Sequence, residues 1–81
     1  MKTIIIRKPE FMRNDELMQK HLNFANYVLE LIEQVGPAGA EMQGLYEDLR
    51  YHYKRAAKAG GFLRMEDFWR WMDEQKNNPK Q

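Results

Sequence analysis

Gly36-Pro37 and Gly60-Gly61 interrupt an otherwise helix-patterned chain at two points, and this punctuation most restricts how the chain can fold. Glycine is the favoured residue just past a helix end, and proline cannot continue a helix that precedes it. Before the first break, apolar residues recur at Leu17, Met18, Leu22, Phe24, Ala25, Val28, Leu29, Leu31, Ile32 and Val35, with His21 among them. At helical pitch this arc spans about half the circumference, wide enough to touch two neighbours rather than one. Asn14 suits an N-cap, and Asp15 and Glu16 sit where the helix dipole favours negative charge. The first helix is therefore expected over 14–35, roughly 33 Å long at 1.5 Å per residue.

Between the breaks, Ala38, Met42, Leu45, Leu49, His52 and Ala56 alternate spacings of four and three, the seam of helices packed at shallow angles. Tyr46 and Tyr53 flank that seam. Acids lead (Glu41, Glu47, Asp48) and bases follow (Arg50, Lys54, Arg55, Lys58), as the dipole prefers. The second helix is expected over 38–59. After Gly60-Gly61, Met65, Phe68, Trp69 and Met72 share one face of a third helix over 63–76, and Trp71 lies about 100° away beside Arg64 and Gln75. Residues 77–81 read as a disordered tail. The core is expected to include Leu22, Val28, Leu29, Ile32, Leu45, Leu49 and Phe68, with small Ala56 marking the closest helix approach.

Only Thr3-Ile4-Ile5-Ile6 has β character, and Pro9 ends that run. An isolated strand leaves its backbone groups unpaired, so a β-arm over 1–9 needs a partner: a second copy, another protein, or the helices of its own chain. The fold class that follows is mainly α, one small domain over 1–81. It comprises a long helical hairpin, a short third helix and an N-terminal β-strand arm.

The run Thr3-Ile4-Ile5-Ile6-Arg7-Lys8-Pro9-Glu10 resembles the opening of ribbon-helix-helix repressors, in which two copies pair antiparallel strands and a proline starts the first helix. The resemblance covers about a tenth of the chain. It implies Thr3, Ile5 and Arg7 facing the DNA major groove, with Ile4 and Ile6 turned inward. The sequence departs from that family in the length of its first helix. It departs again in its turn, Gly36-Pro37-Ala38-Gly39, which lacks the family's Gly-x-Ser pattern.

Composition narrows the chemistry. The chain has 81 residues, no cysteine and a net charge of +1. A chain this short buries roughly 60–65% of its unfolded surface, so its stability is marginal. Absent cysteine removes disulfides, thiolate metal sites and cysteine nucleophiles, and suits a reducing cytoplasm. Three isoleucines between Lys2 and Arg7 are too few for a signal sequence or membrane span. The near-neutral balance exerts no general pull toward nucleic acid or anionic membrane. It is unevenly spread: residues 1–13 carry +3 and residues 14–36 carry −3.

Serine is absent and Thr3 is the only threonine, which nearly excludes hydroxyl nucleophiles. The acidic pairs Asp15/Glu16, Glu47/Asp48, Glu66/Asp67 and Asp73/Glu74 point about 100° apart within each pair, so none is a ready acid–base dyad. The glycines match no phosphate loop. His21 and His52 each fall on an apolar seam without a second histidine one turn away. They are expected to be partly buried structural residues rather than metal ligands. No catalytic residue, cofactor or metal is expected.

Two surfaces remain. Phe62, Phe68, Trp69 and Trp71 crowd the third helix and its lead-in. Two tryptophans two residues apart cannot both face one core, so Trp71 is expected at the surface as a binding anchor. Arg64, Arg70, Phe62 and Ile5 are placed around it. The second surface is the basic row Arg50, Lys54, Arg55 and Lys58 with Tyr51, which together with Thr3 and Arg7 is the nucleic-acid candidate.

The expected function is a small non-catalytic protein-binding or regulatory module, of adaptor or inhibitor type, that occupies a partner's surface. Its size and lack of motifs suit a phage or mobile element. A dimeric DNA-binding regulator using the strand or the basic row is the alternative. The expected partners are a protein, a second copy through the strand or the first helix, or nucleic acid in the alternative, with no membrane.

Overall fold

In the computed structural model, which describes residues 4–77, three α-helices follow one another: α1 Asp15–Met42, α2 Leu45–Ala59 and α3 Met65–Asn77. Thr3 and tail residues 78–81 lie outside the described residues. The α1 cap is the expected one, with Asn14 Oδ1 accepting from Leu17 N–H at 3.0 Å.

The first helix ends where expected: α1 consists of two helices that meet at a kink at Gly36. Gly36 sits at φ 80°, ψ 170°, a conformation that essentially only glycine adopts, and helical geometry resumes through Met42 with Pro37 leading the new turn. A second break, not expected, falls at Gly44, whose left-handed backbone (φ 70°, ψ 24°) separates Met42 from Leu45. The helix expected over 38–59 is therefore divided between the part of α1 over 37–42 and α2.

The expected N-terminal strand is absent among the described residues: residues 4–6 are irregular, and pairing is limited to one antiparallel bridge between Arg7 and Phe62. The reason is the partner that the chain finds. Lys8 N–H donates to Gly61 O at 2.8 Å, and Asn14 N–H donates to Ala59 O at 2.7 Å. A glycine turn offers a few acceptors, enough for a bridge and too few for a ladder. Residues 7–14, with a 3-10 turn at Glu10–Met12, thus strap the turn between α2 and α3.

The core has two centres. Met18, Leu22, Ala56, Ala57, Phe62 and Phe68 form one, against which Ile5, Tyr53, Met65, Trp71 and Met72 pack. Val28, Ala40 and Leu45 form the other, joined by Leu31, Ile32 and Leu49. Ala56 is fully buried where α2 meets α1. Leu29, expected inside, is exposed. Among the described residues, the α1–α2 contact is extensive and the α2–α3 contact slight. Phe24, Tyr27 and Val35 are exposed as well.

Candidate functional site

The slight contact between α2 and α3 leaves a groove of about 420 Å³, lined by Tyr46, Leu49, Arg50, Tyr53 and Lys54 from α2 and by Met65 and Trp69 from α3. The α2 residues recur at three- and four-residue spacing, so they form one stripe along its α3-facing edge. Met65 and Trp69, one turn apart, face them. The Trp69 ring meets Tyr53 edge-on, centroids 4.9 Å apart at 73°, and remains 42% exposed. Burial raises the Tyr53 phenol above its ordinary pKa, so it stays protonated at neutral pH. The floor is aromatic and aliphatic; the charged lining is Arg50 and Lys54.

Trp71 does not occupy the expected exposed position. It is half-buried, with its ring centroid 5.6 Å from Phe62 and 6.4 Å from Phe68. Phe62 is buried and Ile5 packs against the same cluster. Helix α3 is turned so that Phe68, fully buried, centres its core face, with Trp71 on one side and Met65 on the other. Trp69 moves to the rim as a result.

Arg64 and Arg70 are occupied on another side of α3, where both clasp the fully buried carboxylate of Asp67. Arg64 donates twice, at 3.0 and 3.1 Å, and this pairing raises its pKa further. Both arginines also reach Glu66. Of the five residues expected to bind a protein, Phe62 is buried in the core, Ile5 and Trp71 pack against it partly buried, and Arg64 and Arg70 form an ion-pair clip.

The basic row divides between two hollows. Arg50 and Lys54 line the α2–α3 groove, whereas Arg55 and Lys58 line a separate hollow of about 480 Å³ with Leu17, His21, Tyr51 and Ala59. The Arg55 guanidinium lies 5.2 Å from the Tyr51 ring centre. Arg7 turns inward: its Nε donates to Gly60 O at 2.7 Å and it pairs with Asp15 at 3.2 Å.

His21 and His52 meet across the α1–α2 interface, Nδ1 to Nδ1 at 3.1 Å, with Phe24 stacked on His52. One ring must donate and the other accept, so the pair holds at most one shared proton between these nitrogens. Among the described residues, no three His, Cys, Asp or Glu side chains converge, and no helix is long and apolar enough to cross a membrane.

The groove residues left out of the expected site, Tyr46, Leu49, Tyr53, Met65 and Trp69, had one sequence signal. Tyr46 and Tyr53 lie seven apart on the flank of the α2 seam, too large and too regular for a solvent-facing edge. No protein-family model, curated protein or solved structure matches the chain.

Proposed function

We propose that this chain is a small non-catalytic protein-binding module that acts by occupying a surface of its partner through the α2–α3 groove. The observation carrying this reading is the exposed Trp69 indole, edge-on to Tyr53, in a largely apolar groove also lined by Arg50 and Lys54. Tryptophan and tyrosine offer large rigid contact area at small entropic cost, and they dominate binding energy at protein interfaces. The fold spends little on holding Trp69, whose neighbour Phe68 fills the core instead.

The test compares wild-type chain and Trp69→Ala as immobilised bait in nuclease-treated lysate, followed by titration of the retained protein. Retention that survives nuclease and weakens by about tenfold or more in Trp69→Ala, with an unchanged melting profile, supports the reading. Retention that disappears with nuclease, or is indifferent to Trp69, overturns it.

A further inference from the structure

We infer that the groove takes an acidic segment of a partner protein, seating one large apolar side chain against Trp69, Tyr53 and Leu49 while flanking carboxylates pair with Arg50 and Lys54. This inference rests on the protein-binding reading above and specifies the partner's chemistry.

Charge complementarity carries it. Arg50 and Lys54 are the charged residues lining the groove, both are positive, and both stand on the α2 wall. Among the described residues, neither makes an ion pair, whereas Arg7, Arg64 and Arg70 all do. Glu66 and Asp67, the two acids that precede Trp69 on α3, are already shared by Arg64 and Arg70. Asp73 follows Trp69 by one turn and sits outside the lining. Arg50 also borders a neighbouring hollow with Glu41 and Glu47, and among the described residues it pairs with neither, so the groove keeps a positive edge along an apolar floor.

Spacing agrees with charge. Residues four apart on a helix rise about 6 Å along its axis. Carboxylates at alternate positions of an extended segment lie roughly 7 Å apart, and acids one turn apart on a helix match as well. An apolar residue placed between two such acids would reach the floor while they face the cations.

Other occupants fit less well. Residues 78–81 bring Lys80 and no large apolar side chain, so they offer the wrong charge and no anchor. The Glu10–Met12 turn of a second copy has suitable chemistry, with Phe11 86% exposed. That contact joins two different surfaces, however, and a head-to-tail contact of this kind propagates into rings or open chains. A nucleic-acid strand prefers a cationic track with stacking platforms, and here the cations border one wall only.

The experiment selects a random-peptide display library on wild-type chain, Trp69→Ala and the double variant Arg50→Glu/Lys54→Glu, and then measures Kd for synthesised winners. Recovered peptides should carry a large apolar residue flanked by Asp or Glu. Their affinity should fall by about tenfold or more both in the charge-reversal variant and in Trp69→Ala, and it should weaken with salt. Apolar peptides without acids, sensitive to Trp69→Ala but not to charge reversal, overturn the acidic inference and leave the groove reading standing. Selection indifferent to Trp69 overturns both. Displacement of the winners by a short single-stranded oligonucleotide, or concentration-dependent growth in mass abolished by Trp69→Ala, assigns the groove to nucleic acid or to a second copy and overturns the inference. Unchanged melting curves for the variants establish that each is folded.

Discussion

The Arg7 guanidinium lies over the Trp71 ring at 5.1 Å from its centre, joining two residues that are far apart in sequence at the edge of the core. It also covers Phe62 at 4.4 Å and holds the Gly60 carbonyl at 2.7 Å. One side chain thus ties the N-terminal segment to the α2–α3 turn and to α3.

Trp71 is consequently a stability residue. Trp71→Ala should cost about 2–4 kcal/mol, somewhat below a fully buried tryptophan, and Arg7→Ala about 1–2 kcal/mol. Because the two touch, the double variant should deviate from additivity by more than about 0.5 kcal/mol in urea unfolding. A cost under about 1 kcal/mol for Trp71→Ala would remove it from the core.

The helical content and the break at Gly36 were legible because glycine and proline act locally. Gly44 was not, since the four-and-three spacing runs through Met42 and Leu45 without interruption. The rotation of α3 was hidden for a longer-range reason. Met65, Phe68, Trp69 and Met72 form as good a stripe as the face actually buried. The choice is made by Phe62 and Arg7, which crowd Trp71 from outside the helix. Isoleucine-rich residues 4–6 read as strand by propensity, but the glycine turn pairs with Arg7 and Lys8 beyond them, while Ile5 packs on the core. The basic row was visible as charge, while its division between two hollows depends on where α1 and α3 lie against α2.

Backbone geometry sets the next expectation. Gly36 at φ 80°, ψ 170° cannot accept a Cβ without strain, although open space surrounds it. Gly36→Ala should destabilise by about 1–3 kcal/mol, seen as a lower Tm, because it strains the bend that brings Ala40 against Val28 and Leu45. An unchanged Tm would show that the bend is not required.

Close approach makes a complementary case. Ala56 has no exposed surface and belongs to the main core centre with Met18 and Leu22. Ala56→Leu should cost about 1–3 kcal/mol by overpacking, while Ala56→Gly, which loses a buried methyl as well as helix propensity, should cost about 1–2 kcal/mol. Equal or greater stability for the leucine variant would mean that α1 and α2 have room to separate.

Protonation of His21 should destabilise the fold. His21 is held below its ordinary pKa, first by burial and then by His52, Arg55 and Lys20. The unfolded chain therefore binds this proton more readily than the folded one. The stabilising difference is fully present above the unfolded value, near pH 6.5, and is lost as pH falls through the lower folded value. Urea unfolding across this window should show stability falling with pH, and the slope should flatten in His21→Gln. An unaltered slope in that variant would assign the pH dependence to other groups.

The two tryptophans should differ in light as they do in burial. With Trp71 changed to Phe, the remaining Trp69 is 42% exposed and should emit at longer wavelength and be readily quenched. With Trp69 changed to Phe, half-buried Trp71 should emit at shorter wavelength and be shielded. Charge adds a sharper distinction, because Arg50 and Lys54 line the groove beside Trp69 without ion pairs among the described residues. Their field concentrates anions locally, so iodide should quench Trp69 more than caesium does after correction for each ion's intrinsic efficiency. Raising the ionic strength from about 0.01 M to about 0.1 M shortens the screening length from about 30 Å to about 10 Å and should shrink that difference. Arg50→Glu/Lys54→Glu should reverse the preference in favour of caesium. Equal quenching by both ions at low salt, before and after charge reversal, would mean that the groove edge carries no effective positive potential, and an acidic partner would then have nothing to recognise there.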